Sequence, residues 1–148
     1  MNAVSAPPWA LFFSLILLLA FAPSVHAGWT TDYAAALARA RAEKKLLLLD
    51  FGGSDWCGGC KLLDQVFQEP AFRAFADARY IEVSIDFPHA VPQSNALRGQ
   101  NEALADRFMI SELPTVIVVN ADGRELGRVG YAADLTADAM IAKLKRFR

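Results

Sequence analysis

Apolar and polar positions alternate along the chain in periods that change from segment to segment. Trp29, Tyr33 and Leu37 recur every four residues behind Thr30 and Thr31, predicting a first amphipathic helix capped by the threonines and ending near Lys44 and Lys45. Leu46 to Phe51 is an apolar run broken only by Asp50, the pattern of a strand buried on both faces, and Gly52 and Gly53 end it. From Cys57 on, Cys60, Leu63, Val66 and Phe67 fall at helical spacing until Pro70, which kinks or ends the helix, and Phe72, Phe75 and Ala76 carry the apolar face a turn or two further. Ile81, Val83, Ile85 and Phe87 alternate with Glu82, Ser84 and Asp86, predicting a second strand.

Residues Pro88 to Gln100 contain two prolines and no period, which predicts a surface excursion. Leu104 and Phe108 mark a third helix, and Thr115 to Val119 a third strand. Asn120-Ala121-Asp122-Gly123 forms a hairpin turn into a fourth strand at Glu125 to Val129. Thr136 as cap, Asp138 in the first turn and Leu135 placed to staple onto Met140 start a last helix, buried through Ile141, Leu144 and Phe147. Helix and strand alternate and one hairpin closes the series, so a mixed sheet with helices on both sides is expected.

Residues 1 to 27 carry no Asp, Glu, Lys or Arg, and Trp9 to Ala22 is apolar except for Ser14. Such a run is short of the roughly 20 residues that span a bilayer, and Val25-His26-Ala27 offers small residues for a signal peptidase. The expectation is a signal peptide over 1–27, cleaved before Gly28, with a membrane-tethered form if it stays uncleaved. One domain over 28–148 would then work in the periplasm or otherwise outside the cytoplasm, where disulfide chemistry is permitted. Fifteen Lys and Arg against 16 Asp and Glu leave no electrostatic signature of a nucleic-acid binder, and two cysteines cannot staple a coreless miniprotein.

The chemistry lies in Trp56-Cys57-Gly58-Gly59-Cys60-Lys61, where a buried strand turns into a helix. Thiol–disulfide exchange needs a thiol that is largely thiolate near neutral pH, and the amino end of a helix supplies that through its dipole and free N–H groups. Cys57 has this position, and Cys60, three residues on, can reach it across one turn. Gly58 and Gly59 leave room for a substrate backbone, while Lys61 either adds positive potential or is simply a solvated lysine. A metal site would need more ligands than these two sulfurs and His89, and Lys61 stands where haem attachment would need a histidine. No metal and no external cofactor is expected, only the redox pair.

With these residues in place, the chain resembles the thioredoxin superfamily over roughly residues 30 to 146. Asp50-Phe51-Gly52-Gly53-Ser54-Asp55-Trp56-Cys57, then Leu113-Pro114-Thr115 and Asn120-Ala121-Asp122-Gly123, look like the exported bacterial thioredoxin-like proteins of the thiol:disulfide interchange type. The resemblance implies an α/β thioredoxin-like fold, a central mixed four-stranded sheet flanked by helices, of which this sequence is expected to lack the usual first strand. It further implies that Cys57 attacks, Cys60 resolves, and Pro114 is a cis-proline beside them, with neighbouring backbone such as Leu113 pairing with the substrate peptide. Three departures stand out. Gly59 replaces a common proline, the 88–100 excursion is long, and one extra residue separates Asp50 from Cys57. Asp50 is therefore either the carboxylate that shuttles protons to the resolving thiol or a strand-end residue. Trp56 reads as packing beside the site, with substrate contact the second reading; Asp55, His89 and the Phe-rich stretch 67–75 read as structural.

The expected protein is a monomeric thiol–disulfide oxidoreductase that reduces or exchanges disulfides in proteins and is recharged by a membrane or soluble redox donor. A redox-idle binding module or chaperone on the same fold is the alternative. A copper carrier is poorly served by two sulfurs and three methionines.

Overall fold

The structure is a computed structural model and describes residues 28–148. The expected signal peptide and its cleavage point lie outside these residues. Strand β1 (Leu46–Gly52) is central. It runs parallel to β2 (Tyr80–Asp86) and antiparallel to β3 (Thr115–Val119), which pairs antiparallel with β4 (Glu125–Gly130), giving the order β2-β1-β3-β4. Helices α1 (Tyr33–Glu43) and α4 (Asn95–Arg107) cover one face; α2 (Gly58–Gln68), α3 (Pro70–Arg79) and α5 (Ala137–Leu144) cover the other. The mixed four-stranded sheet flanked by helices is the fold expected from the sequence.

Strand periodicity divides the core into two layers. Leu47, Leu49 and Phe51 of β1 join Val83, Ile85 and Ile117 against α1 and α4. Leu48 joins Leu63, Phe67, Phe72, Val118 and Met140 on the other side. Each large side chain buried in this way stabilises the fold by about 1.5–3 kcal/mol. Among the described residues, both layers are built from positions between 29 and 147. The same period of two turns Asp50 toward the α2 face, beneath the place where that helix begins.

Where the usual first strand would lie, a single parallel bridge remains. Thr30 donates to the Glu82 carbonyl and accepts from the Ser84 amide, opposite Val83. Because Thr30 is committed to that edge, the helix behind it starts later than the threonines suggested. Asp32 is the cap of α1, its carboxylate accepting from the Ala35 amide at 2.9 Å. Trp29 is no part of α1; its ring packs on Phe67 in the opposite layer.

Two further boundaries differ from expectation. Pro70 does more than end α2: it occupies the first turn of a separate ten-residue helix, α3, where its missing N–H costs nothing. The excursion is also shorter than the expected 88–100, because α4 begins at Asn95, capped by Ser94 through the Leu97 amide. Its inner face escaped a periodicity reading because Asn101, a polar residue, is buried there at 1% exposure and donates to the Asp86 carbonyl. The predicted cap at Thr136 and the turn at Asn120–Gly123 are observed, with Thr136 accepting from Ala139 and Gly123 at φ 82°.

Candidate active site

The site lies beyond the carboxyl end of β1, where the strand hands over to α2. The amides of Trp56 and Cys57 both bond back to the Gly53 carbonyl, closing a tight loop that delivers Cys57 to the helix cap. As cap, Cys57 accepts from the Cys60 amide through its sulfur at 3.2 Å. The first turn of α2 holds no acidic residue to neutralise the positive helix end. A thiolate at Cys57 is thus met by an N–H donor and an unopposed dipole.

Cys57 and Cys60 are joined by a disulfide, with Cα atoms 5.3 Å apart. Cys57 is 8% exposed, and Cys60 is the more open of the two. The Cys60 sulfur accepts from the Gly53 amide at 3.4 Å and borders a pocket of about 190 Å³ shared with Asp50, Ser54, Lys61, Asp64 and Asp86. Asp50 has a buried carboxylate oxygen, Oδ1, with no hydrogen-bond partner. Burial first, then the neighbouring charges of Asp64 and Asp86, push its pKa up to about 7. A methyl built on Gly52 would lie 3.6 Å from Cys60 Sγ and 4.0 Å from Asp50 Oδ2, so that glycine leaves open the space between thiol and carboxylate.

The other sequence-predicted residues surround the pair. The Leu113–Pro114 peptide is cis. A Cβ at Gly59 would come within 3.3 Å of Pro114 Cδ and 3.2 Å of Tyr131, so a side chain there would have to press one of them back by a few tenths of an ångström, whereas Gly58 faces open space. Lys61 is exposed and reaches the Asp55 carbonyl at 3.3 Å. Trp56 lies against Gly53, donates from Nε1 to the Phe87 carbonyl at 2.7 Å, and is still 45% exposed. With Phe87, Ile110 and Leu113 it lines an open groove of about 430 Å³, which Glu112 borders.

Three residues outside the motif hold this rim. The Asp55 carboxylate accepts the backbone amides of His89, Ala90 and Val91 at 2.9, 2.6 and 3.2 Å, and the His89 ring stacks on Trp56. Asp86 accepts the amide and hydroxyl of Ser54 and so ties the end of β2 to the loop before Cys57. Asp55 and His89 are structural, as the sequence suggested, but what they structure is the wall of the site. The one local signal that could have led to this wall is the carboxylate two residues before the first cysteine; its partners lie more than thirty positions away. Among the described residues no group of three or more His, Cys, Asp or Glu could hold a metal ion.

Comparison with known proteins agrees with this architecture. The family described as the thioredoxin-like domain matches residues 33–147. The chain is 33% identical over 115 residues to the disulfide bond reductase DsbH of Chlamydia pneumoniae, covering 77% of this chain and 69% of that protein. It is 35% identical over 103 residues to the thioredoxin-related protein DsbJ of the same organism, covering 69% of this chain but only 30% of that longer protein. A solved structure of a DsbH oxidoreductase superposes with a TM-score of 0.73 at 33% identity, over 80% of this chain and 81% of that one. The oxidised carboxyl-terminal domain of DsbD from Neisseria meningitidis shares the fold, with a TM-score of 0.59 at 23% identity over 78% and 91% of the two chains. With cysteine pair, strand-to-helix setting and likenesses in agreement, this chain belongs to the thioredoxin-like domain family.

Proposed function

We propose that this protein is an exported reductant of protein disulfides in which Cys57 attacks and Cys60 resolves. Thiol–disulfide oxidoreductase activity on proteins follows from the redox-active pair and the family. The reductive direction is supported by the relative named as a disulfide bond reductase. It is supported equally by the two glycines between the cysteines, which add N–H groups but no side-chain charge. The observation that carries the assignment of roles is the Cys60 amide donating to Cys57 Sγ at the helix cap.

In the reduced protein the Cys57 thiolate attacks one sulfur of a substrate disulfide, and the other sulfur leaves and takes up a proton. A mixed disulfide now joins Cys57 to the substrate. Cys60 loses its proton to the Asp50 carboxylate across the shared pocket and attacks Cys57 Sγ. The second substrate sulfur leaves as a thiolate and takes up a proton, and Cys57–Cys60 is oxidised. Two electrons have passed to the substrate, and the chain, with two cysteines in all, needs an external soluble or membrane donor to recover them. We further assign residues 1–27 as the export signal, cleaved before Gly28, with the domain acting as a monomer outside the cytoplasm; the mass of the exported protein and its size in solution test both.

Equilibration against glutathione buffers, read by alkylation and mass, decides the direction. The expected potential lies between roughly −270 and −180 mV, the interval between thioredoxin and protein disulfide isomerase. A value near roughly −120 mV, that of a strong oxidant, would make the protein a disulfide donor instead.

A further inference from the structure

Two openings adjoin the disulfide, and they share no lining residue. Trp56 and Leu113, the chain neighbours of Cys57 and Pro114, wall the open groove of about 430 Å³. The pocket of about 190 Å³ takes Cys60, but not Cys57, into its wall. Gly52 and Gly53 are buried in its floor, while Ser54, Lys61 and Asp64 are exposed at its mouth. It therefore opens to solvent on one side and to the Cys60 sulfur on the other. Its volume admits several waters or a small organic molecule, and no polypeptide. Passing one proton from Cys60 to Asp50 needs no such room.

Three properties suit this pocket to a small thiol. First, Cys60 is the more open sulfur, and an attack on it expels Cys57, whose thiolate accepts from the Cys60 amide at an unopposed helix end. An attack on Cys57 would instead expel Cys60 beside the pocket carboxylates, and the better-stabilised thiolate is the faster leaving group. Second, Asp50 lines the pocket with one oxygen that has no partner, an acceptor for the proton of an incoming thiol. Third, the lining is acidic: Asp64 and Asp86 join Asp50 against Lys61 alone, whose Nζ reaches the Asp55 carbonyl at 3.3 Å. That balance attracts a cationic end group and repels an anionic one.

We propose that a small thiol with a cationic end group enters this pocket, attacks Cys60 and expels Cys57, so that the oxidised pair is recharged through an opening separate from the Trp56 groove. The proposal rests on the reductase reading above, to whose soluble donor it gives a chemical class. The incoming thiol passes its proton to Asp50 and attacks Cys60 Sγ as a thiolate. The Cys57–Cys60 bond breaks, and its electron pair leaves on Cys57 at the helix cap. A second thiol, losing its proton to solvent, attacks the small-molecule sulfur of the mixed disulfide, and Cys60 leaves and takes the proton from Asp50. Two small thiols have become one disulfide, and the cysteine pair holds their two electrons.

The test uses the full chain and three thiols that differ only in their end group: cysteamine, 2-mercaptoethanol and 2-mercaptoethanesulfonate. Each rate of opening the Cys57–Cys60 disulfide, read by alkylation and mass, is divided by that of the same thiol on 2-hydroxyethyl disulfide, which cancels intrinsic reactivity. Cysteamine is expected ahead of mercaptoethanesulfonate by about tenfold, with the gap narrowing in salt. Asp64→Lys should close the gap, and because a ratio is read, a general change in reactivity drops out. Single-cysteine variants locate the entry. Cys60 in Cys57→Ser should take up cystamine about tenfold faster than the disulfide of mercaptoethanesulfonate, while Cys57 in Cys60→Ser should discriminate far less. Equal normalised rates would overturn the proposal and leave the pocket a water-filled proton path. So would a preference that survives Asp64→Lys, or one found at Cys57 and not at Cys60. Reduction of a model disulfide protein by the unaltered chain is measured alongside: its loss fails the reductase reading, whereas its persistence beside any overturning result fails this proposal alone.

Discussion

The indole of Trp56 lies face to face with the imidazole of His89, 4.4 Å between ring centres and 6° from parallel. Neither ring holds the other alone. Trp56 is tied to the Phe87 carbonyl, and His89 sits on backbone that Asp55 grips through three amides. The His89 half of the aromatic wall beside Cys57 therefore depends on one carboxylate.

Asp55→Asn should release that wall. The amides of His89, then Ala90, then Val91 hold the Asp55 carboxyl below the usual carboxylate range. A depressed pKa contributes stability that is present above the unfolded value and lost as pH falls through the folded one. The loop should thus stay clamped at neutral and mildly acidic pH and open in stronger acid. In the Asn variant, hydrogen exchange at residues 89–91 should be fast already at neutral pH, and KM for a protein disulfide should rise with kcat little changed.

Cys57→Ser should abolish turnover, whereas Cys60→Ser should accumulate mixed disulfides, since attack proceeds and release does not. Thiolate character and exposure pull in opposite directions here, because Cys57 carries the cap bond while Cys60 is more open. Alkylation of the reduced protein at neutral pH should label Cys57 first. Faster labelling of Cys60 would exchange the two roles.

Asp50→Asn should change both stability and release. A pKa raised from 3.8 to about 7 means the native state keeps a proton that the unfolded chain has lost. Stability is then full below the unfolded value and falls as pH rises through about 7, by on the order of 4 kcal/mol. The variant should lose this slope and gain stability at pH 8 in urea titrations. Its mixed disulfide should also persist longer, because Cys60 has lost its proton acceptor.

Gly52→Ala separates space from charge. The added methyl would meet Cys60 and Asp50 at 3.6–4.0 Å, ordinary contact distances, so the fold should be kept. It would fill the gap between Cys60 and Asp50 through which the proposed proton transfer runs. Thermal melting should be unchanged or slightly raised, with slower release of the mixed disulfide; an unchanged release rate would remove the gap from the mechanism.

Glu82→Leu should stabilise the protein above pH 6. Glu82 is 3% exposed with one oxygen unpartnered, and burial raises its pKa to about 6 against the opposing pull of Arg73. As with Asp50, the raised value costs stability as pH rises through it, here by about 2 kcal/mol. Melting temperatures of the two proteins should converge near pH 4.

The parts legible in the sequence are those whose cause is local. Cys57 at a helix cap follows from a buried strand, two glycines and an apolar period beginning within five residues. The Asn120 turn follows from an Asx side chain that accepts from Asp122 and Arg124 and from a glycine at positive φ. What escaped has distant causes. Glu82 and Asn101 occupy buried positions that a polarity pattern assigns to solvent, and the start of α4 was hidden by the second. The Asp55 clamp joins residues 34 to 36 apart, a separation no short window spans.

Asp55 binds its loop solely by main-chain N–H groups, a kind of grip indifferent to which side chains the loop displays. Ala90 and Val91 are exposed and can be exchanged while the anchor, the His89–Trp56 stack and the two cysteines stay as they are. The segment is a ready position for retargeting: choice of client can drift or be engineered there independently of the electron chemistry next to it.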